Sequence, residues 1–147
     1  MTVRRESRLR RVVIERAGWR CEYCRAPQGP TGQTFHLDHI VPEVHGGEWT
    51  EENLALACPH CNLARGGQES ARDPRTGQIV RLFDPRRDVW ERHFGWSPNR
   101  SRLMGRTANG RYDSSAENER GRSTRSSDVV VLDGPDPLKL VAVKGSY

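Results

Sequence analysis

Two C-x2-C pairs, Cys21 with Cys24 and Cys58 with Cys61, constrain this chain more than any other feature, because they use all four of its cysteines. Each tight C-x2-C turn delivers two sulfurs to one point, and two such turns complete a tetrahedral four-thiolate site of the kind that holds zinc. Residues 25–57 then form a long loop closed at its neck, so the side chains in it are held near the metal. A structural zinc on Cys21, Cys24, Cys58 and Cys61 is the expectation. Four unrelated buried thiols, or a redox pair, are the alternative, and two equal spacings with no odd cysteine argue against both. At 147 residues and 34% hydrophobic content the chain has room for one domain with a thin core, where a metal staple counts.

The opening MTVRRESRLRR has no apolar stretch of signal-peptide length behind its charges, and no apolar run reaches the roughly 18 residues of a membrane span. A cytoplasmic protein with reduced thiols and no membrane partner is expected. The net charge is +5 and unevenly placed: residues 1–25 carry eight arginines against three glutamates, the middle of the chain is acidic, and residues 100–147 are basic again. Basic ends suit a polyanion, although an arginine-rich composition on a solvated surface explains the charge equally well.

Residues 6–17, ESRLRRVVIERA, place Leu9, Val12 and Val13 at helical spacing, with Gly18 as the stop. TFHLDHIV at 34–41 alternates Phe35 and Leu37 with His36 and Asp38 and predicts a half-buried strand ended by Pro42. EVHGGEWTEEN is a polar loop with a Gly-Gly turn and a possible cap at Thr50, LALAC at 54–58 returns as a strand, and Pro59 opens a helix closed by Gly66-Gly67. Further on, a strand at 79–83, a helical turn at 88–92 and one more strand are expected to pack on this core. From Ser97 the chain turns polar and arginine-rich. Residues 105–127 are expected to be disordered, with a terminal hairpin from DVVVLDGPDPLKLVAV. The four tryptophans are assigned to packing.

The ordered run FHLDHIVPEVHGGEWTEENLALACPHCN resembles the motif of the HNH endonucleases, a ββα-metal family, over Cys21–Gly67. The preceding helix, IVRLF-DPR and the W-x-x-H-F pattern at 90–94 are similar to a bacterial stand-alone subfamily and extend the resemblance to about residue 106. The resemblance implies an α+β fold, the His-Me finger, laid out as a basic helix over 1–20, a nuclease core with its zinc knuckle over 21–67, an extension over 68–104 and a polar tail over 105–147.

It also implies metal-dependent hydrolysis of phosphodiester bonds in DNA, with RNA less favoured. His39 is then the general base, and Asp38 a ligand of a catalytic Mg2+ or Mn2+. Asn62 completes that metal site, and Asn53 supports the catalytic histidine through hydrogen bonds. His36, two residues before Asp38 on the same strand face, is a weaker third ligand. Arg65 is placed to reach a DNA phosphate, or to end its helix in solvent. His45, His60 and His93 are read as solvated or locally bonded rather than as ligands.

The competing class is a zinc-knuckle module that binds nucleic acid and cuts nothing. Such a module has no need for Asp38, His39, Asn53 and Asn62 at motif positions; nor has a protein-interaction zinc ribbon. One departure from the family pattern is the tail, where another apolar helix is expected after GRTANGR. Cleavage is expected to survive truncation after about Thr107.

Overall fold

The computed structural model describes residues 3–29 and 32–111. The expected terminal hairpin and residues 112–127 of the expected disordered stretch lie outside these. Helix α1, Val3–Arg16, runs first. Its inner face carries Leu9, Val13 and Ile14, all buried, and Gly18 at a φ of +59° turns the chain out of the helix. Arginines on the flanks of that face are tied down as well. Arg10 donates to the Phe35 carbonyl at 2.6 Å, and Arg16 to those of Glu51 and Leu54 at 2.6 Å each.

Strands β1 (His36–His39) and β2 (Leu54–Ala57) pair antiparallel, with Asp38 opposite Ala55 and His39 opposite Leu54. Helix α2, Pro59–Arg65, follows at once and packs on both strands, which completes a ββα unit. Proline suits the first turn because that turn has no use for its missing N–H, and Gly66 at a φ of +54° ends the helix. β2 is buried at every residue, since α1 covers one side of the hairpin and α2 the other. The same covering explains why Asp38 is buried, against its expected place on a polar face.

Two further hairpins make up the extension. β3 (Ser70–Arg72) pairs with β4 (Ile79–Arg81), and β5 (Phe94–Trp96) with β6 (Leu103–Gly105). A short helix α3, Trp90–His93, precedes β5. Isolated two-stranded hairpins are marginal in water, and here Phe83, Trp90, Phe94 and Leu103 join the same core as the ββα unit. The Trp90 indole donates to the Tyr23 carbonyl at 2.7 Å, which docks the extension on the first cysteine turn. Of the tryptophans assigned to packing, Trp90 is buried and Trp49 half-buried, but Trp19 and Trp96 are about half exposed. None of the helices in the described residues is long and apolar enough to cross a membrane.

Ordered chain continues past residue 105. Arg111 donates through Nε and Nη2 to the two oxygens of Asp73 at 2.8 and 2.6 Å, and the Thr76 hydroxyl adds a third bond at 2.6 Å. Asp73 is fully enclosed. The Arg111 bonds, helped by Thr76 and the Arg75 amide against the cost of burial, hold its carboxyl well below the usual 3.8. Residues 105–111 thus belong to the folded unit, and a chain cut after Thr107 would strand a buried carboxylate.

Arg111→Met in the full chain is expected to lower the melting temperature at pH 7, because an enclosed charge without its partner is costly. A depressed carboxyl adds stability above its unfolded value and loses it as pH falls toward the folded one. The wild type should therefore lose stability more steeply than Arg111→Met as pH drops below about 4, read by circular dichroism melts across that range.

Candidate active site

The four cysteine sulfurs lie within 4.8 Å of one another, and all four residues are buried. A tetrahedral four-thiolate zinc site has metal–sulfur bonds of about 2.3 Å and so sulfurs about 3.8 Å apart. Cys24 and Cys58 stand at 3.8 Å. Each turn is wrapped in the same way, with the Cys24 amide donating to Cys21 Sγ at 3.5 Å and the Cys61 amide to Cys58 Sγ at 3.4 Å.

The thiols of this cluster differ in acidity because they bond to one another. Burial raises the Cys21 thiol, but hydrogen bonds from Cys24, Cys58 and Cys61 outweigh it and pull the group well below its usual value. Cys24 and Cys61 are pushed well up, first by their bonds to Cys21. One thiolate in the cluster makes the next costly, and a divalent cation removes that cost. The set fits a structural metal.

The same turn carries two side chains that its spacing did not announce. Glu22 is 5% exposed and accepts the Leu56 amide of β2 at 2.8 Å, while Arg16 at 3.4 Å and Arg86 neutralise it. Tyr23 is buried and donates its hydroxyl to Asp38 Oδ2 at 2.6 Å. A glutamate and a tyrosine between two metal-spaced cysteines were the available signal, since polar groups held at a buried turn need partners.

Asp38 is 9% exposed. Burial pushes its carboxyl up, while the Tyr23 hydroxyl and the Arg65 guanidinium pull it back. Arg65 is not where a phosphate contact would be. It is 4% exposed, with Nε 3.4 Å from Asp38 Oδ2, Nη1 donating to the Phe83 carbonyl at 3.1 Å and its guanidinium 4.2 Å above the Tyr23 ring. Neither expected role, phosphate contact or solvated helix end, matches a guanidinium enclosed between Asp38 and Tyr23.

Next to Asp38, His39 turns to the other strand face. Its ring meets Trp49 edge-on at 4.6 Å, and its Nε2 is enclosed with no hydrogen-bond partner among the described residues. Asn53 brackets the loop that carries Trp49: its side chain accepts the Val41 amide at 2.9 Å and donates to the carbonyls of Val41 and Glu48 at 3.0 Å each. Those bonds reach His39 through the loop and Trp49. The close approach also explains Gly47, where a Cβ would run into the Val41 carbonyl and stand 2.8 Å from Asn53 Nδ2. His36 is exposed at the start of β1, and Asn62 is half-buried in the first turn of α2. The other histidines stay outside the cysteine cluster, with His45 bonded to Glu69 and His93 to Thr107 at 2.6 Å each.

Residues 21–68 match the model of the HNH endonuclease family. The four clustered cysteines of this segment are consistent with the zinc-knuckle HNH type. The segment covers about a third of the chain and contains the ββα unit, the sulfur cluster and all of the expected site residues. No curated protein and no solved structure matches the chain. The match supports a nuclease-type function and implies a nucleic acid as substrate.

Two outcomes follow for the HNH domain. Stripping its knuckle metal with a strong thiol-competing chelator, or replacing Cys58 by Ser, is expected to abolish cooperative thermal unfolding, since the cluster closes the loop that carries the site. Asn53→Ala is expected to cost about 2 kcal/mol from its lost loop bonds. A change in tryptophan fluorescence should accompany it as Trp49 leaves His39.

Proposed function

We propose that this protein is a metal-dependent DNA endonuclease in which His39 is the general base. The observation that carries the reading is the enclosed, unpartnered Nε2 of His39, adjacent in β1 to a carboxylate that two neighbours hold in place. A buried polar atom without a partner is rare, and it is found where function rather than packing sets the position of a side chain.

The chemistry is hydrolysis of a phosphodiester. A water oxygen attacks phosphorus, its proton passes to the His39 imidazole, and the bond to the 3′ oxygen breaks. Imidazole is suited to this transfer near neutral pH. Asp38, with Asn62 and His36 as further ligands, would hold a divalent cation, Mg2+ or Mn2+, which would supply charge neutralisation to the phosphate. Asn53 and Trp49 fix the direction of the His39 ring. Zinc is the ion for the four cysteines, and with four thiolates it has no open position for chemistry. The reduced thiols suit a cytoplasmic setting.

Duplex DNA as substrate is supported by α1. Its face opposite the core carries Arg4, Arg8 and Arg11, all exposed, at the i, i+4, i+7 spacing of one helical stripe that ends at Glu15.

A second reading, a module that binds nucleic acid and cuts nothing, is favoured by the burial of Asp38 and its pairing with Arg65. One experiment separates the two. Purified protein with Mg2+ or Mn2+ is expected to nick supercoiled plasmid, and His39→Ala with its zinc retained is expected to lose this by at least about 10²-fold. Retention of DNA without nicking in any metal would select the binding module.

A further inference from the structure

Tyr23 does work that neither the sulfur site nor the phosphodiester chemistry assigns. It is 2% exposed, and among the described residues its hydroxyl makes the one short side-chain bond to Asp38, 2.6 Å to Oδ2. Arg65 reaches the same oxygen at 3.4 Å, too long to orient a carboxylate on its own, and stacks on the Tyr23 ring at 4.2 Å. The two partners therefore divide the task. The guanidinium supplies charge, and the hydroxyl supplies direction. Both contacts fall on Oδ2, so the carboxylate cannot rotate without breaking them, and Oδ1 carries neither.

Tyr23 is itself held from both sides. It stands between Cys21 and Cys24, in a turn closed by the Cys24 amide on Cys21 Sγ, and its carbonyl takes the Trp90 indole at 2.7 Å. We propose that Tyr23 is a positioning residue that couples the structural metal of the knuckle to the catalytic cation, by fixing the Asp38 carboxylate through Oδ2 and leaving Oδ1 outside both contacts. The proposal rests on the reading of Asp38 as a cation ligand. Outer partners of a metal-binding carboxylate set its affinity as well as its direction, and their loss typically weakens metal binding 10- to 100-fold.

The test is Mn2+ binding to the full-length, zinc-loaded protein, followed by calorimetry and by the electron spin resonance of free Mn2+, with no nucleic acid present. Tyr23→Phe, with zinc content and melting temperature recorded, is expected to bind Mn2+ about 10-fold more weakly than the wild type. Unchanged Mn2+ affinity in a folded, zinc-loaded Tyr23→Phe would overturn the positioning role. Asp38→Asn is the arm that tests the underlying reading. If it binds Mn2+ as well as the wild type, or if the wild type binds none, Asp38 is not the ligand and the proposal falls with it.

Should Tyr23→Phe fail to fold, wild-type protein with 13C-labelled tyrosine rings decides. Its three tyrosines are told apart with Tyr112→Phe and Tyr147→Phe. Mg2+ is expected to shift the Tyr23 ring signals, and their indifference to saturating Mg2+ would overturn the coupling.

Discussion

The four-sulfur cluster is the constraint on which the rest of this structure depends. It joins a turn near the end of α1 to the start of α2, and so fixes both ends of the segment that folds into the β1–β2 hairpin. With a thin core, such closure contributes what apolar burial alone does not. The cluster also acts through what it presents. By pinning residues 21–24 in a tight turn, it aims Glu22 at β2 and Tyr23 at β1, so one knuckle clasps both strands of the hairpin through side chains of opposite chemical character.

Elements governed by local chemistry were legible in the sequence. The helix at 3–16 with its glycine stop, the strands around His36–His39 and Leu54–Ala57, and the Pro59–Arg65 helix follow from periodicity, proline and glycine placement, and cysteine spacing. Elements that exist because of a distant partner were not. β3 is three residues long with one buried side chain, too short for strand alternation to show, and is recognisable only through its pairing with the expected strand β4. β6 lies where the chain turns polar, and its last residue, Gly105, falls in the stretch expected to be disordered. It is ordered because Leu103 reaches the core and because Arg111 meets an enclosed carboxylate thirty-eight residues away.

The candidate site divides along the same line. Which residues gather near the knuckle was readable from spacing, whereas which way they face was not. Arg65 shows why. An arginine before Gly-Gly at a helix end has the same local signature whether it is solvated or buried, and its position follows from Asp38, a residue on another element that would otherwise be buried alone. Asp38 was expected on a polar strand face because strand alternation says nothing of a helix packed over that face. Trp19 and Trp96 failed as core residues for a related reason. Each sits at a turn or edge of the chain, where large size does not ensure burial.

The two buried acids of the HNH segment, Glu22 and Asp38, differ in where their neutralising charge comes from. Asp38 is served from inside the segment, by Arg65 of α2. Glu22 is served from outside it on both sides, by Arg16 of α1 and Arg86 of the extension. Removing either flank leaves a carboxylate at 5% exposure with half its counter-charge, at the turn that also carries Tyr23. An unpaired buried charge costs more than a lost surface contact, and it would be felt first where the turn is held most tightly. The matched third of the chain is thus not electrostatically closed. Its knuckle keeps its shape because residues before and after the motif complete it, which gives the α1 arginines and the 84–88 loop a structural reason to be present whatever substrate the site takes.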